Sequence, residues 1–76
     1  MTLAQLQAGN SAIIKSVGGE KALRRRLLEM GLTPKTKVKV HKIAPMGDPM
    51  ELHLRGYSLS IRLEDAANIE VEIDES

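Results

Sequence analysis

Two histidines, His41 and His53, flank a short loop, Ala44 to Pro49, that also carries Asp48; Glu51 follows it. Two imidazoles and a carboxylate are ligands suited to a borderline transition metal. Their meeting depends on strand register. The segments on either side of the loop alternate, with Val38 and Val40 apolar in one and Met50, Leu52 and Leu54 in the other. With Val40 opposite Leu54, His41 falls opposite His53; with Val40 opposite Leu52, it faces Glu51. Two ligands seldom hold a metal tightly, so Asp48 or Glu51 would have to complete the set. The simpler reading is a pair of solvated strand histidines. There are no cysteines, which removes disulfides, thiolate metal sites and cysteine nucleophiles.

Other chemistries have less support. Serines and acids are present, but no Ser–His–acid spacing marks an activated nucleophile. Gly18–Gly19 precedes a helix, yet Lys21 is followed by Ala22 rather than the Ser or Thr of a phosphate-binding loop. Catalysis also calls for a concave preformed pocket, and a chain of 76 residues barely encloses its own core. The chain reads as a non-enzyme without a cofactor, beyond weak transition-metal binding.

Arg24, Arg25 and Arg26 occupy consecutive positions and span roughly 200° of a helix, so they cannot form one flat stripe. With Lys35, Lys37, Lys39 and Lys42 they could build a basic surface. A small nucleic-acid-binding barrel is therefore one alternative, but Tyr57 is the only aromatic residue, too few for base stacking. Net charge is only +1, although residues 1–62 carry eleven bases and four acids and residues 63–76 carry six acids and no base. No nucleic-acid partner is expected. No apolar stretch approaches the ~20 residues needed to cross a bilayer, so direct membrane insertion is not expected and the cytoplasm is the default compartment.

The elements that must position these residues are short. Thr2 to Leu6 reads as a helical turn. Ser11 to Val17 is a strand whose buried face the imperfect alternation leaves open. Glu20 to Met30 is the one clear helix, with Leu23, Leu27 and Met30 on one stripe and Gly31 as its C-terminal stop. Strands follow over Lys37–Ile43, with a bulge where Lys42 and Ile43 break phase, and over Met50–Arg55, Leu59–Leu63 and Ile69–Ile73, with a helical turn at Glu64–Ala67. One mostly β domain over residues 1–76 is predicted: a small barrel of about five strands with one short α-helix across an opening. The expected core is Leu6, Ile14, Leu23, Leu27, Val38, Val40, Leu52, Leu54, Leu59, Ile61 and Val71.

Several pieces run in a recognisable order. They are Leu3-x-x-Leu6-x-x-Gly9, Arg26-Leu27-Leu28-Glu29-Met30-Gly31-Leu32-x-Pro34, Ala44-Pro45-Met46-Gly47-Asp48-Pro49, Arg55-Gly56-Tyr57-x-Leu59-x-Ile61-Arg62 and Glu64-x-Ala66-x-x-Ile69-x-Val71. Together the chain resembles the FeoA family of SH3-like barrels, whose fold also occurs as a C-terminal domain in metal-responsive repressors. The resemblance implies a cytoplasmic, non-enzymatic accessory to ferrous iron uptake that partners the GTP-binding membrane transporter FeoB. The family often has Gly after the Pro of the turn, where this chain has Lys35. Docking on such a transporter is expected through the loop, with Pro45 and Pro49 stiffening it and Met46 at its tip, and through Arg24 and Arg25 of the helix. Exposed strand edges would also permit a homo-oligomer.

Overall fold

The computed structural model describes residues 1–74. Five strands form a single antiparallel sheet: β1 (Ser11–Val17), β2 (Lys37–Ile43), β3 (Met50–Leu54), β4 (Tyr57–Ile61) and β5 (Ile69–Ile73). Their order is β4-β3-β2-β1-β5. Helix α1 (Lys21–Glu29) joins β1 to β2, and the one-turn α2 (Leu63–Ala66) joins β4 to β5. A 3-10 turn at Leu3–Gln5 opens the chain. The expected elements are all present, but β4 runs Tyr57–Ile61 rather than Leu59–Leu63, and Leu63 opens α2 instead of ending the strand.

The β1 face left open by sequence is settled by a register shift between Ile14 and Ser16. Ala12, Ile14 and Val17 point inward as a result. The core is aliphatic and includes Leu6, Leu27, Val38, Val40, Leu52, Leu54, Ile61 and Val71 as expected, together with Leu3, Leu32, Met50, Ala66 and Ile69. Leu23 and Leu59 only pack against its margin. Burial of so much aliphatic surface, worth about 25 cal/mol per Å², drives a fold that lacks aromatic bulk.

Helix α1 stops where its sequence says it should. Leu32 N–H donates to Leu27 O at 3.1 Å and Gly31 N–H to Leu28 O at 3.0 Å, the paired bonds of a Schellman cap. Gly31 has φ +98, a conformation that L side chains rarely adopt. The chain's one aromatic residue closes the same end, for Tyr57 Oη donates to Met30 O at 2.6 Å. In the next turn, Lys35 stands at φ +73 and Thr36 N–H donates to Thr33 O at 3.2 Å. This is the type II pattern, retained with lysine in glycine's place. Thr36 is only 5% exposed. Its Oγ1 lies 2.9 Å from Thr33 Oγ1 and accepts from the Arg55 guanidinium at 2.8 Å. The β3–β4 hairpin is thereby tied to the turn before β2.

The sheet's two ends are managed differently. Beyond β5, the N-terminal residues extend the ladder: Thr2 bridges Glu70, and Val71 N–H donates to Met1 O at 2.9 Å. The acidic C-terminal stretch folds back onto the basic body. Met1 pairs with Glu70 at 2.7 Å, Lys37 with Asp74 at 3.1 Å and Arg26 with Asp65 at 3.5 Å. The charge asymmetry of the sequence is therefore partly cancelled in the fold. At the other end of the strand order, β4 is the sheet's second margin.

Candidate functional site

Strand β2 pairs Val40 with Leu52 and then Lys42 with Glu51, so one extra residue, His41, is inserted between them. The bulge keeps Val40 in the core and turns both His41 and Lys42 outward. On β3 the two-residue period puts Glu51 and His53 on that same outer face. Neither register considered from sequence is realised unaltered. The Val40–Leu52 pairing is right, but the bulge lets His41 reach both His53 and Glu51.

The two imidazoles stack with centroids 4.4 Å apart and planes 11° from parallel. Glu51 Oε2 lies 3.7 Å from His41 Nε2 and 4.0 Å from His53 Nε2. One ligand atom from each residue can be chosen so that all three lie within 4.8 Å of one another. The side chains are about half exposed for the histidines, 50% and 46%, and 31% for Glu51. Lys39 stands opposite His53 and Lys42 opposite Glu51, while Ser58 and Ser60 face the same two β3 residues from β4.

Asp48 does not join this group. Its Oδ1 accepts from Leu63 N–H at 2.9 Å, at the start of α2. A carboxylate there satisfies a free helix amide and faces the positive helix end. The metal candidates therefore separate into three neighbours and one helix-terminal acid.

The loop between β2 and β3 is compact. Gly47 N–H donates to Ala44 O at 2.7 Å, and Ala44 N–H to Pro49 O at 3.0 Å. Gly47 has φ +87, and the Asp48–Pro49 peptide is cis. Pro45 and Pro49 are exposed, and Met46 is 92% exposed at the tip. Beside the loop runs a groove of about 280 Å³, lined by Ile43, Ala44, Pro45, Pro49, Glu51 and Ser60 among others. From sequence Ile43 stood out only as a break in phase and Ser60 only among serines without an activating base; placing Ser60 against Glu51 required the β3–β4 register.

The helix arginines belong to α1. Arg24 and Arg25 line a separate groove with Lys21, Leu28 and Glu29. Arg24 Nε donates to Val17 O at 2.9 Å, which commits part of its guanidinium to holding α1 to the end of β1. The helix beside the loop is α2, through the Asp48–Leu63 bond. The groove at the loop and the groove at the arginines share no lining residue, while α1 meets α2 through the Arg26–Asp65 pair.

Similarity to known proteins decides the family. The FeoA domain model matches residues 1–73. The chain belongs to the FeoA domain family. A Porphyromonas gingivalis (strain ATCC BAA-308 / W83) protein, "Fe(2+) transport protein A/Fe(2+) transporter FeoB fusion protein", is 41% identical over 73 residues. That match takes in 96% of this chain, which spans only 9% of the fusion protein's length. The solution structure of FeoA from Chlorobium tepidum is 44% identical with a TM-score of 0.88, covering 96% of this chain and 70% of that one. The crystal structure of Stenotrophomonas maltophilia FeoA complexed with zinc is 28% identical with a TM-score of 0.83, covering 95% and 89%. That protein is described as an SH3 domain protein. The SH3-like FeoA architecture expected from sequence is the one observed.

Proposed function

We propose that this FeoA-like domain is a non-enzymatic accessory of bacterial ferrous iron uptake that docks on the cytoplasmic part of a FeoB-type transporter. One observation carries the reading. A homologous domain, 41% identical, is joined in one polypeptide to a FeoB transporter. A tether raises the local concentration of one module at another into the millimolar range, so even a small docking surface is then occupied. No helix of the described residues is long and apolar enough to cross a membrane. The domain contributes contacts rather than a membrane pathway of its own helices.

The β2–β3 loop is the docking element. Its two prolines and internal bonds fix its shape before binding, which limits the entropy lost on association. Met46 offers an unbranched, adaptable apolar anchor. The Arg24–Arg25 patch supplies a second, charged contact that orients the domain toward an acidic partner surface. The test is pull-down with the transporter's isolated cytoplasmic region, using Met46→Asp and, separately, Arg25→Glu. Each variant should remain folded by circular dichroism, Met46→Asp should lose binding, and Arg25→Glu should bind more weakly at low salt. Full binding by a folded Met46→Asp protein would place the interface on another face.

A further inference from the structure

We propose that His41, Glu51 and His53 form a binding site for one divalent transition-metal ion on the outer face of the sheet. The three residues come from two strands and are brought together by two independent backbone features, the period of β3 and the bulge of β2. Without the bulge, the strand alternation that buries Val40 would continue through His41 and Lys42 with a different neighbour set.

The donor set selects the class of ion. Two imidazoles and one carboxylate suit zinc, ferrous iron or cobalt and match poorly the all-oxygen preference of magnesium or calcium. Three protein ligands leave the remaining coordination positions open to water or to a group on a partner. Metal–ligand bonds of roughly 2.0–2.2 Å place neighbouring donor atoms about 3–3.5 Å apart. The Nε2–Oε2 distances of 3.7 and 4.0 Å are near this range and need only small contractions.

The stacked rings set the one rearrangement required. An imidazole lone pair lies in the ring plane, so nearly parallel rings aim their lone pairs side by side rather than at one point. Binding must tilt at least one ring out of the stack. Both histidines are about half exposed, so rotation about the terminal side-chain torsion meets solvent rather than packed core. Lys39 and Lys42, directly across the strands, add positive charge near the ion and hold the affinity to a moderate level. An ion that comes and goes fits such a surface better than one fixed for the life of the protein.

The test uses the full chain without any added histidine tag. Calorimetric titration with zinc, and with ferrous iron under anaerobic conditions, should show one ion per chain, while magnesium should give no binding heat. Zinc should perturb the amide NMR signals of residues around His41, Glu51 and His53 first. His41→Ala with His53→Ala, and separately Glu51→Gln, should each weaken zinc binding by about tenfold or more, a difference of about 1.4 kcal/mol. All three residues are outside the core, so unchanged circular dichroism would separate lost ligation from lost folding. An unchanged affinity in either variant, shifts that map to another face, or no binding by the parent chain at millimolar zinc would overturn the site.

Discussion

A methyl group added at Gly31 tests how the fold terminates its one long helix. The position has φ +98, and a Cβ built there would overlap the hydroxyl of Tyr57. That hydroxyl is already committed, donating to Met30 O at 2.6 Å. Gly31→Ala therefore acts twice. The left-handed backbone costs an L residue about 1–2 kcal/mol. Displacing Tyr57 forfeits a partly exposed hydrogen bond, worth about 0.5–1.5 kcal/mol. The total loss should be about 1.5–3.5 kcal/mol. Tyr57→Phe removes the hydroxyl, leaving the ring carbon 3.5 Å from the added methyl, an ordinary contact. In the Tyr57→Phe background, Gly31→Ala should then cost only the backbone contribution of about 1–2 kcal/mol. Urea unfolding of the parent, the two single variants and the double variant forms a complete cycle. Strictly additive changes would mean that methyl and hydroxyl never compete, and would refute the steric half of the reasoning.

Two further predictions concern the same framework. Leu27, fully inside the core on α1, should cost ~2–5 kcal/mol when cut to Ala, read as a lower urea midpoint at unchanged slope. Lys35 carries a positive φ in an exposed turn, so Lys35→Gly exchanges ~1–2 kcal/mol of backbone strain for ~0.5–1 kcal/mol of added unfolded-state entropy. A net gain of ~0.5–1 kcal/mol should appear as a higher midpoint.

The sequence was legible wherever a local rule applied. The helix end at Gly31 and Leu32 follows from cap chemistry, and the strands of β2, β3 and β5 from two-residue alternation. The bulge after Val40 was visible as a break in phase. What it brought together was not, because two alternative registers placed His41 against different residues and only one inserted residue allowed both contacts. The Lys35 turn shows tertiary context winning over preference. Lys35 N–H donates to Ile14 O at 2.7 Å, and Ile14 N–H to Thr36 O at 2.9 Å, so the turn is held by β1 in a shape that lysine alone would avoid. Asp48 meets the four-residue α2, which the sequence offered only as a single helical turn with nothing to pair it to the loop.

The two proposed sites meet at one side chain. Glu51 is a ligand candidate with His41 and His53, and it also lines the groove against Pro45 and Pro49 beside the Met46 loop. An ion that draws the carboxylate toward the imidazoles removes a negative charge from the wall of that groove. Binding of metal and binding of the transporter's cytoplasmic region should therefore be linked. Linkage is reciprocal: whatever factor the partner imposes on zinc affinity, zinc must impose on partner affinity. Such couplings are commonly about 1–3 kcal/mol, so a change of about fivefold or more is expected in each direction. Calorimetry of zinc with and without the transporter region, and of the region with and without zinc, supplies both sides of the cycle. In Glu51→Gln the coupling should vanish even where residual zinc binds through the histidines. Equal affinities on all four edges for the parent chain would show that ion and partner act on separate faces of the sheet, leaving Glu51 to serve only one of them.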